Sequence, residues 1–306
     1  WGPLRFIGGA RVEAFDQKVV SASPFAVESE DVTGTSRTDV DVLPAAGFVL
    51  RAMEDMNVRL AYGGTVARPQ VRELAPFLFQ DFVRRRTVQG NPELDRTFIH
   101  NLDLRWEWFY GEREVLAVSA FFKSFDSPIE QVVVDRQGNI TFENVTGAQN
   151  FGGELEARFS FGRLWRPLAD LTIGGNLPLV YSQVTMSDEE RASATNAERP
   201  LAGQSPYVAN LSLDYSPADT GLSITLYYNV FGERIEDVGR LGLPDVYEMP
   251  FHSLDVAVSW ELAEHFRLRG TARNLLYREV VLEQGGIEVQ RYQPGISVGL
   301  GFGWSY

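Results

Sequence analysis

GISVGLGFGWSY, Gly295 to Tyr306, places Ile296, Val298, Leu300, Phe302, Trp304 and Tyr306 at every second position, with only Gly or Ser between them. Successive side chains of an extended chain point to opposite faces, so this period of two predicts a strand with one greasy face and one bare face. A central strand of a soluble all-β core is one setting for it. The solvent face of a soluble sheet, however, ordinarily carries Lys, Thr or Glu. A bare face suits a crowded interior wall that another backbone approaches closely. The segment alone leaves both settings open.

The chain has 306 residues, 44% hydrophobic and 23% charged. No run approaches the roughly 18 apolar residues of a spanning helix. A membrane crossing would therefore use strands closed into a barrel, the other structure that satisfies backbone polar groups in hydrocarbon. A net charge of -13 argues against nucleic acid as a partner, because phosphate binding needs clustered Lys and Arg. The absence of cysteine excludes thiolate metal sites, thiol catalysis and disulfides. The chain opens at Trp1 with no initiator Met and no signal peptide, and is expected to be a fragment whose beginning is missing.

Alternating apolar positions predict about a dozen strands, near 4–16, 38–51, 56–68, 97–109, 113–125, 150–162, 167–184, 204–216, 221–231, 251–262, 265–276 and 293–306. Nothing has the pattern of an amphipathic helix. Short connections at Glu54-Asp55, Gly111-Glu112, Gly162 to Pro167, Pro217 to Thr220 and Ala263-Glu264 alternate with long ones at 17–37, 69–96, 126–149, 185–203, 232–250 and 277–292. An outer-membrane barrel has short periplasmic turns and long extracellular loops, whereas a soluble meander has no reason to keep this order. Trp106, Trp108, Phe109, Tyr110, Phe161, Trp165, Tyr215, Trp260, Phe266, Trp304 and Tyr306 all fall beside the short turns. Such a level of Trp and Tyr fits a membrane interface.

The two faces also separate. Leu102, Leu104, Trp106, Trp108 and Tyr110 alternate with Asp103, Arg105 and Glu107. Leu155, Ala157 and Phe159 alternate with Glu154, Glu156 and Arg158, and Leu254, Val256 and Val258 with Asp255, Ala257 and Ser259. Phe266, Leu268 and Gly270 alternate with Arg267, Arg269 and Arg273. A charge facing lipid at mid-bilayer costs about 2–4 kcal/mol, so the ionic face is predicted to line a wet lumen or touch a polar plug. The greasy side of the closing segment then faces lipid, and its bare side leaves room for whatever fills the bore.

TVARPQVRELAPFLFQDF, GNPELDRTFIHNLDLRWEWFYG, FFKSFDSPIEQ, NVTGAQNFGGELEARFS, RPLAGQSPYVANLSLDY, YYNVFGERIEDVG and ARNLLY follow one another in order. This ordered set resembles the C-terminal barrel half of TonB-dependent outer-membrane receptors, over about Leu4 to Tyr306. The resemblance implies an all-β, antiparallel transmembrane barrel of about 22 strands around a plug, of which these dozen would be the last twelve. It also implies that residues 1–306 are barrel only, with the plug, its energy-coupling box and the earlier strands upstream. The implied partners are outer-membrane lipid, the plug, a TonB-type energy-coupling protein and an unidentified solute; the C-terminus would lie on the periplasmic side. An aromatic last residue fits the same family.

Other motifs carry less. Gly299-Leu300-Gly301-Phe302-Gly303 lacks the following helix that a phosphate loop needs. His100, His252 and His265 have no spacing for a metal site or a triad. The acidic groups Glu28, Glu30, Asp31 and Asp188, Glu189, Glu190 offer oxygen ligands for Ca²⁺, but they fall in the expected extracellular loops, where plain solvation explains them. Asn139-Ile140-Thr141 and Asn144-Val145-Thr146 match a glycosylation acceptor, which means little in a bacterial protein. Glu154 and Glu156 lie about 7 Å apart on one strand face, compatible with glycoside chemistry, but read better as lumen-wall carboxylates answered by Arg105 or Arg158. Arg84, Arg85 and Arg86 form the most basic point and could meet an anionic ligand or lipopolysaccharide phosphate, or lie on a solvated loop face.

The expected function is a receptor and transporter for energised uptake of a scarce, large solute such as a siderophore, cobalamin, saccharide or peptide. It needs no catalytic residue and no cofactor. A passive porin or structural barrel is the alternative, and an outer-membrane hydrolase a more distant one, since no His has a plausible nucleophile partner.

Overall fold

The computed structural model describes residues 3–22, 32–263 and 265–304. β1 (Leu4–Ala22), β2 (Val32–Met53) and β3 (Met56–Ala67) come first, then α1 (Val71–Leu74), β4 (Leu78–Asp81) and β5 (Arg86–Gln89). β6 (Thr97–Trp108) and β7 (Val115–Asp126) are followed by β8 (Ile129–Val133), β9 (Ile140–Asn144), β10 (Gly147–Ser160) and β11 (Leu171–Thr185). After α2 (Asp188–Ser193) come β12 (Val208–Tyr215), β13 (Leu222–Phe231), β14 (Arg234–Asp237) and β15 (Val246–Glu248). The chain ends with β16 (Phe251–Ala263), β17 (Phe266–Arg273), β18 (Val280–Gln284), β19 (Ile287–Tyr292) and β20 (Ser297–Trp304).

Twelve strands form one antiparallel wall in the order β1-β2-β3-β6-β7-β10-β11-β12-β13-β16-β17-β20. They are the twelve that alternation predicts. β1 continues past the expected 4–16 and β12 falls short of 204–216; Ser305 and Tyr306 lie outside the described residues. Among the described residues β1 pairs only with β2 and β20 only with β17, so the wall has two free edges. Unpaired edges are unfavourable in hydrocarbon.

Register keeps the faces apart across neighbouring strands. Val58, Trp106, Val118, Leu155 and Leu177 are successive cross-strand partners on one face. One residue along, Asn57, Glu107, Ala117, Glu156, Asn176, Asn210 and Asn229 are successive partners on the other. The apolar face is the uncovered one: Leu104 is 49%, Leu155 50% and Val298 71% exposed. On β10 it runs from Phe151 to Phe159, about 27 Å of strand, which at a tilt of about 40° spans about 21 Å of membrane. At the short turns the tryptophan tips find partners. Trp108 donates from Nε1 to Asp55 Oδ2 at 2.8 Å, and Trp260 from Nε1 to the Thr220 carbonyl at 3.2 Å.

The long connections fold into a canopy that the sequence pattern did not announce. β4-β5-β9-β8 and β14-β15-β18-β19 make two small sheets, joined by a parallel bridge between Val132 and Val238. A dry core lies here: Leu74, Val88, Leu94, Val133, Ile140 and Phe142 pack with Val19, Val246 and Leu282. Ile235 and Val238 pack with Val132 alongside. Gly90 permits the chain to cross α1, since a Cβ there would lie 2.2 Å from the Ala75 carbonyl oxygen. The β18–β19 turn uses Gly285 and Gly286 at φ of 59° and 78°, the conformation a tight hairpin favours.

α2 is held by Glu190. Its carboxylate accepts from the Ser187 backbone N–H in a capping box and from Thr146 N and Oγ1 at 2.8 and 2.6 Å. Burial alone would raise its pKa, but these bonds to the charged form win and hold it below the ordinary carboxylate value.

Two outcomes follow. Leu155→Lys is expected to cost about 2–4 kcal/mol in refolding titrations of the full-length protein into lipid vesicles, while Thr172→Lys on the opposite face costs little. A depressed folded pKa contributes stability that is present above the unfolded value of about 4.3 and is lost as pH falls through the folded one. Amide exchange across residues 186–203 is therefore expected to speed up below about pH 4 in the native protein, and to lose that pH step in Glu190→Gln.

Candidate functional site

The polar face of the wall is organised in two ladders. In the first, Glu107 accepts from Arg59 Nε and from Arg105 Nε, each at 2.8 Å. Arg105 then reaches over β7, donating to Ser119 Oγ at 3.2 Å and to Glu156 Oε2 on β10 at 2.6 Å. Charges thus alternate from β3 to β10, and Glu107 is buried beneath them. In the second ladder Asn229 donates to Asn210 Oδ1 at 2.6 Å, Asn210 donates to Asn176 Oδ1 at 3.0 Å, and Asn176 donates to Glu154. The two carboxylates of the Glu-x-Glu pair are therefore committed to different neighbours, and no acid–base pair is set up between them.

The other expected wall residues are placed on the same face but not brought together. Asp255 accepts from Ser253 Oγ at 2.7 Å and from the Asn274 backbone at 2.9 Å. Arg267 pairs with Glu261. Asp103, Arg158, Arg269 and Arg273 are exposed and form no ion pair among the described residues. Arg269 lies opposite Gly301, and Arg267 opposite Gly303, so the bare side of the closing strand leaves these guanidinium groups uncovered.

The three loop arginines divide. Arg84 pairs with Glu236, and Arg86 with Asp237, tying the β4–β5 hairpin to β14 across the canopy. Arg86 also donates to Gln131 Oε1 at 3.2 Å. Burial pushes the Asp237 carboxyl up against the opposing pull of Arg86. Arg85 alone stays exposed at the hairpin tip, in a left-handed conformation with φ of 51°, beside the exposed Phe82 and Val83.

Sequence reasoning missed three features here. The amide ladder is one, although Asn176, Asn210 and Asn229 each occupy polar positions of their strands. A second is the bidentate pair of Arg199 with Glu130, at 2.7 and 2.6 Å with both side chains 3% exposed. The third joins Arg68 and Arg96 to the buried Asp41 at the rim, with Glu13 also paired to Arg68. Glu130 lies in a stretch read as loop and gives no signal for its pair, while Asp41 and Glu13 are paired across β2 and β1 but their arginine partners come from loops distant in sequence. Glu28, Glu30 and Asp31 lie outside the described residues. Among the described ones, no three His, Cys, Asp or Glu side chains gather as a metal site.

The TonB dependent receptor-like β-barrel family matches residues 1–275. No curated protein sequence matches. Solved structures do. A mutant of the ferric enterobactin receptor PfeA from Pseudomonas aeruginosa aligns over 90% of this chain and 42% of its own, with TM-score 0.58 and 16% identity. The ferric yersiniabactin uptake receptor FyuA from Yersinia pestis aligns over 99% and 43%, with TM-score 0.61 and 16% identity. The copper transporter OprC aligns over 99% and 46%, with TM-score 0.65 and 14% identity. The chain thus spans less than half the length of each. With a two-faced antiparallel wall and a family match over nine-tenths of its length, the chain belongs to the TonB-dependent receptor-like β-barrels of the outer membrane.

Proposed function

We propose that this chain is the C-terminal barrel portion of an outer-membrane receptor that imports a scarce solute under TonB-type energy coupling, with a plug domain in the bore. The observation that carries it is the two-faced wall: hydrocarbon-compatible outside, ionic and amide-lined inside, under loops that fold into a packed canopy. A bore lined by hydrogen-bonding groups suits a polar folded plug, and unpaired Asp103, Arg158, Arg269 and Arg273 are the wall groups such a plug would meet. A metal chelate is the favoured solute class, because the similar structures include receptors for ferric enterobactin and ferric yersiniabactin and a copper transporter.

Within the canopy the arginines would take different roles. Arg85, exposed at the hairpin tip and without an ion pair among the described residues, is the ligand-contact candidate; Arg84 and Arg86 hold the hairpin through Glu236 and Asp237. The passive-porin alternative has less support, since a porin has no use for a canopy cross-linked by buried ion pairs.

Uptake of a radiolabelled ferric chelate by cells expressing the full-length protein tests this. Uptake is expected to collapse in cells lacking TonB-type coupling; uptake that persists there would leave the porin. Arg85→Ala is expected to weaken chelate binding about fivefold without lowering thermal stability, whereas Arg86→Ala lowers stability first.

A further inference from the structure

The outward face has a recess that uptake does not use. Leu155, Ile173, Leu177 and Leu211 stand around a floor of Ala157, Gly175 and Ala209, and the recess holds about 340 Å³. Ala157 and Gly175 are direct partners between β10 and β11, and Gly175 faces Leu211 on β12. Three neighbouring strands thus present small outward residues together. Gly175 keeps the floor low, because a Cβ there would lie 2.7 Å from both the Asn210 carbonyl oxygen and Leu211 Cδ2. The polar side chains of these strands are engaged on the opposite face, Asn176 with Asn210 among them. Every side chain lining the recess from outside is therefore apolar.

The turn that follows β10 supplies a second feature. Leu164 and Trp165 are 73% and 63% exposed, and Arg166 beside them forms no ion pair among the described residues. An exposed apolar residue, a tryptophan and a free guanidinium in one short turn are what the boundary between hydrocarbon and headgroups favours.

We propose that the recess and this turn together seat one glycerophospholipid of the leaflet at the short-turn end, with an acyl chain over Ala157 and Gly175 and its phosphate at Arg166. The inference rests on the wall lying in the membrane. The recess is continuous with the lipid-facing band, so hydrocarbon is what reaches it. A recess of about 340 Å³ walled by Leu155, Ile173, Leu177 and Leu211 gives room for a stretch of one acyl chain. The phosphate end is fixed by charge: Arg163 in the same turn is taken by Glu114, which leaves Arg166 for an anion.

Native mass spectrometry of the full-length protein, released from nanodiscs of phosphatidylethanolamine and phosphatidylglycerol, tests this. The wild type is expected to retain one phospholipid. Ala157→Leu fills the recess from its floor and should lose it; Arg166→Gln should lower occupancy about fivefold. Val258→Leu, on the same face but away from the recess, should retain it. Heat-modifiable gel mobility of each variant separates loss of the site from loss of the barrel. A wild type free of phospholipid, or an adduct that survives Ala157→Leu in a folded barrel, overturns the proposal. A doubled mass that Ala157→Leu abolishes would overturn it in favour of a second copy. Protein that never enters the nanodiscs fails the membrane reading itself, a result visible before any lipid is counted.

Discussion

A peptide group in hydrocarbon must find its hydrogen bond inside the protein, and this requirement shapes the wall before any side chain is considered. Antiparallel pairing supplies those bonds from strand to strand, and the side chains then settle which way each strand faces. Because the side-chain period is two, a slip of one residue would turn every Leu inward and every Glu outward. The two faces penalise that slip independently. Leu155 beside Val118 and Leu177 wants hydrocarbon, while Glu156 beside Arg105 wants partners that only the correct register provides. Register is therefore pinned from both sides of the same backbone.

The wall itself has no dry interior, since its apolar face is uncovered and its other face is ionic. The protein's buried core lies instead in the canopy, where Leu74, Ile140 and Ile235 are almost fully enclosed. Segments from five separate loops contribute to it. Arg199 with Glu130, Arg86 with Asp237 and Arg84 with Glu236 join loops distant in sequence. Buried ion pairs of this kind add little net stability but are costly to break one side at a time. They make the canopy a body that keeps its internal arrangement, and a ligand approaching it meets a built surface with few loose charges.

Legibility followed physical scale. The twelve wall strands were readable because lipid and water impose opposite demands on alternate residues over eight or more positions. Arg105 with Glu156 was readable for the same reason: both sit on the face where charge must find company. The canopy was not, because β4, β14 and β15 are three or four residues long, too short for a period to emerge. One canopy hairpin did leave a trace, in Gly285-Gly286 between two runs rich in Val and Ile, a turn signal lost in a stretch taken as loop. Arg84 and Arg86 show the limit of charge as a guide. A basic run marks them, but nothing local foretells carboxylates some 150 positions away.

The distribution of unpaired charge on the bore side has its own logic. From β3 to β13 two ladders of polar groups satisfy one another, first through Arg59, Glu107, Arg105 and Glu156, then through the amides that end on Glu154, while Asp103 and Arg158 form no ion pair among the described residues. At β17 the pattern stops. Arg269 and Arg273 form no ion pair among the described residues, and their neighbours on β20 are glycine and serine. In a dry core such charges would be ruinous; on a hydrated wall they are tolerable, but they are also unspent. A self-satisfied region binds an incoming surface weakly, because every contact made there must replace one already present. Arg269 and Arg273 on β17 have no such ion pair to lose among the described residues, whereas Arg267 is taken by Glu261. An occupant of the bore would meet unpaired guanidinium groups at Arg269 and Arg273 on β17 and at Arg158 on β10, while the ladder through Glu107, Arg105 and Glu156 would have to be broken to make a new contact.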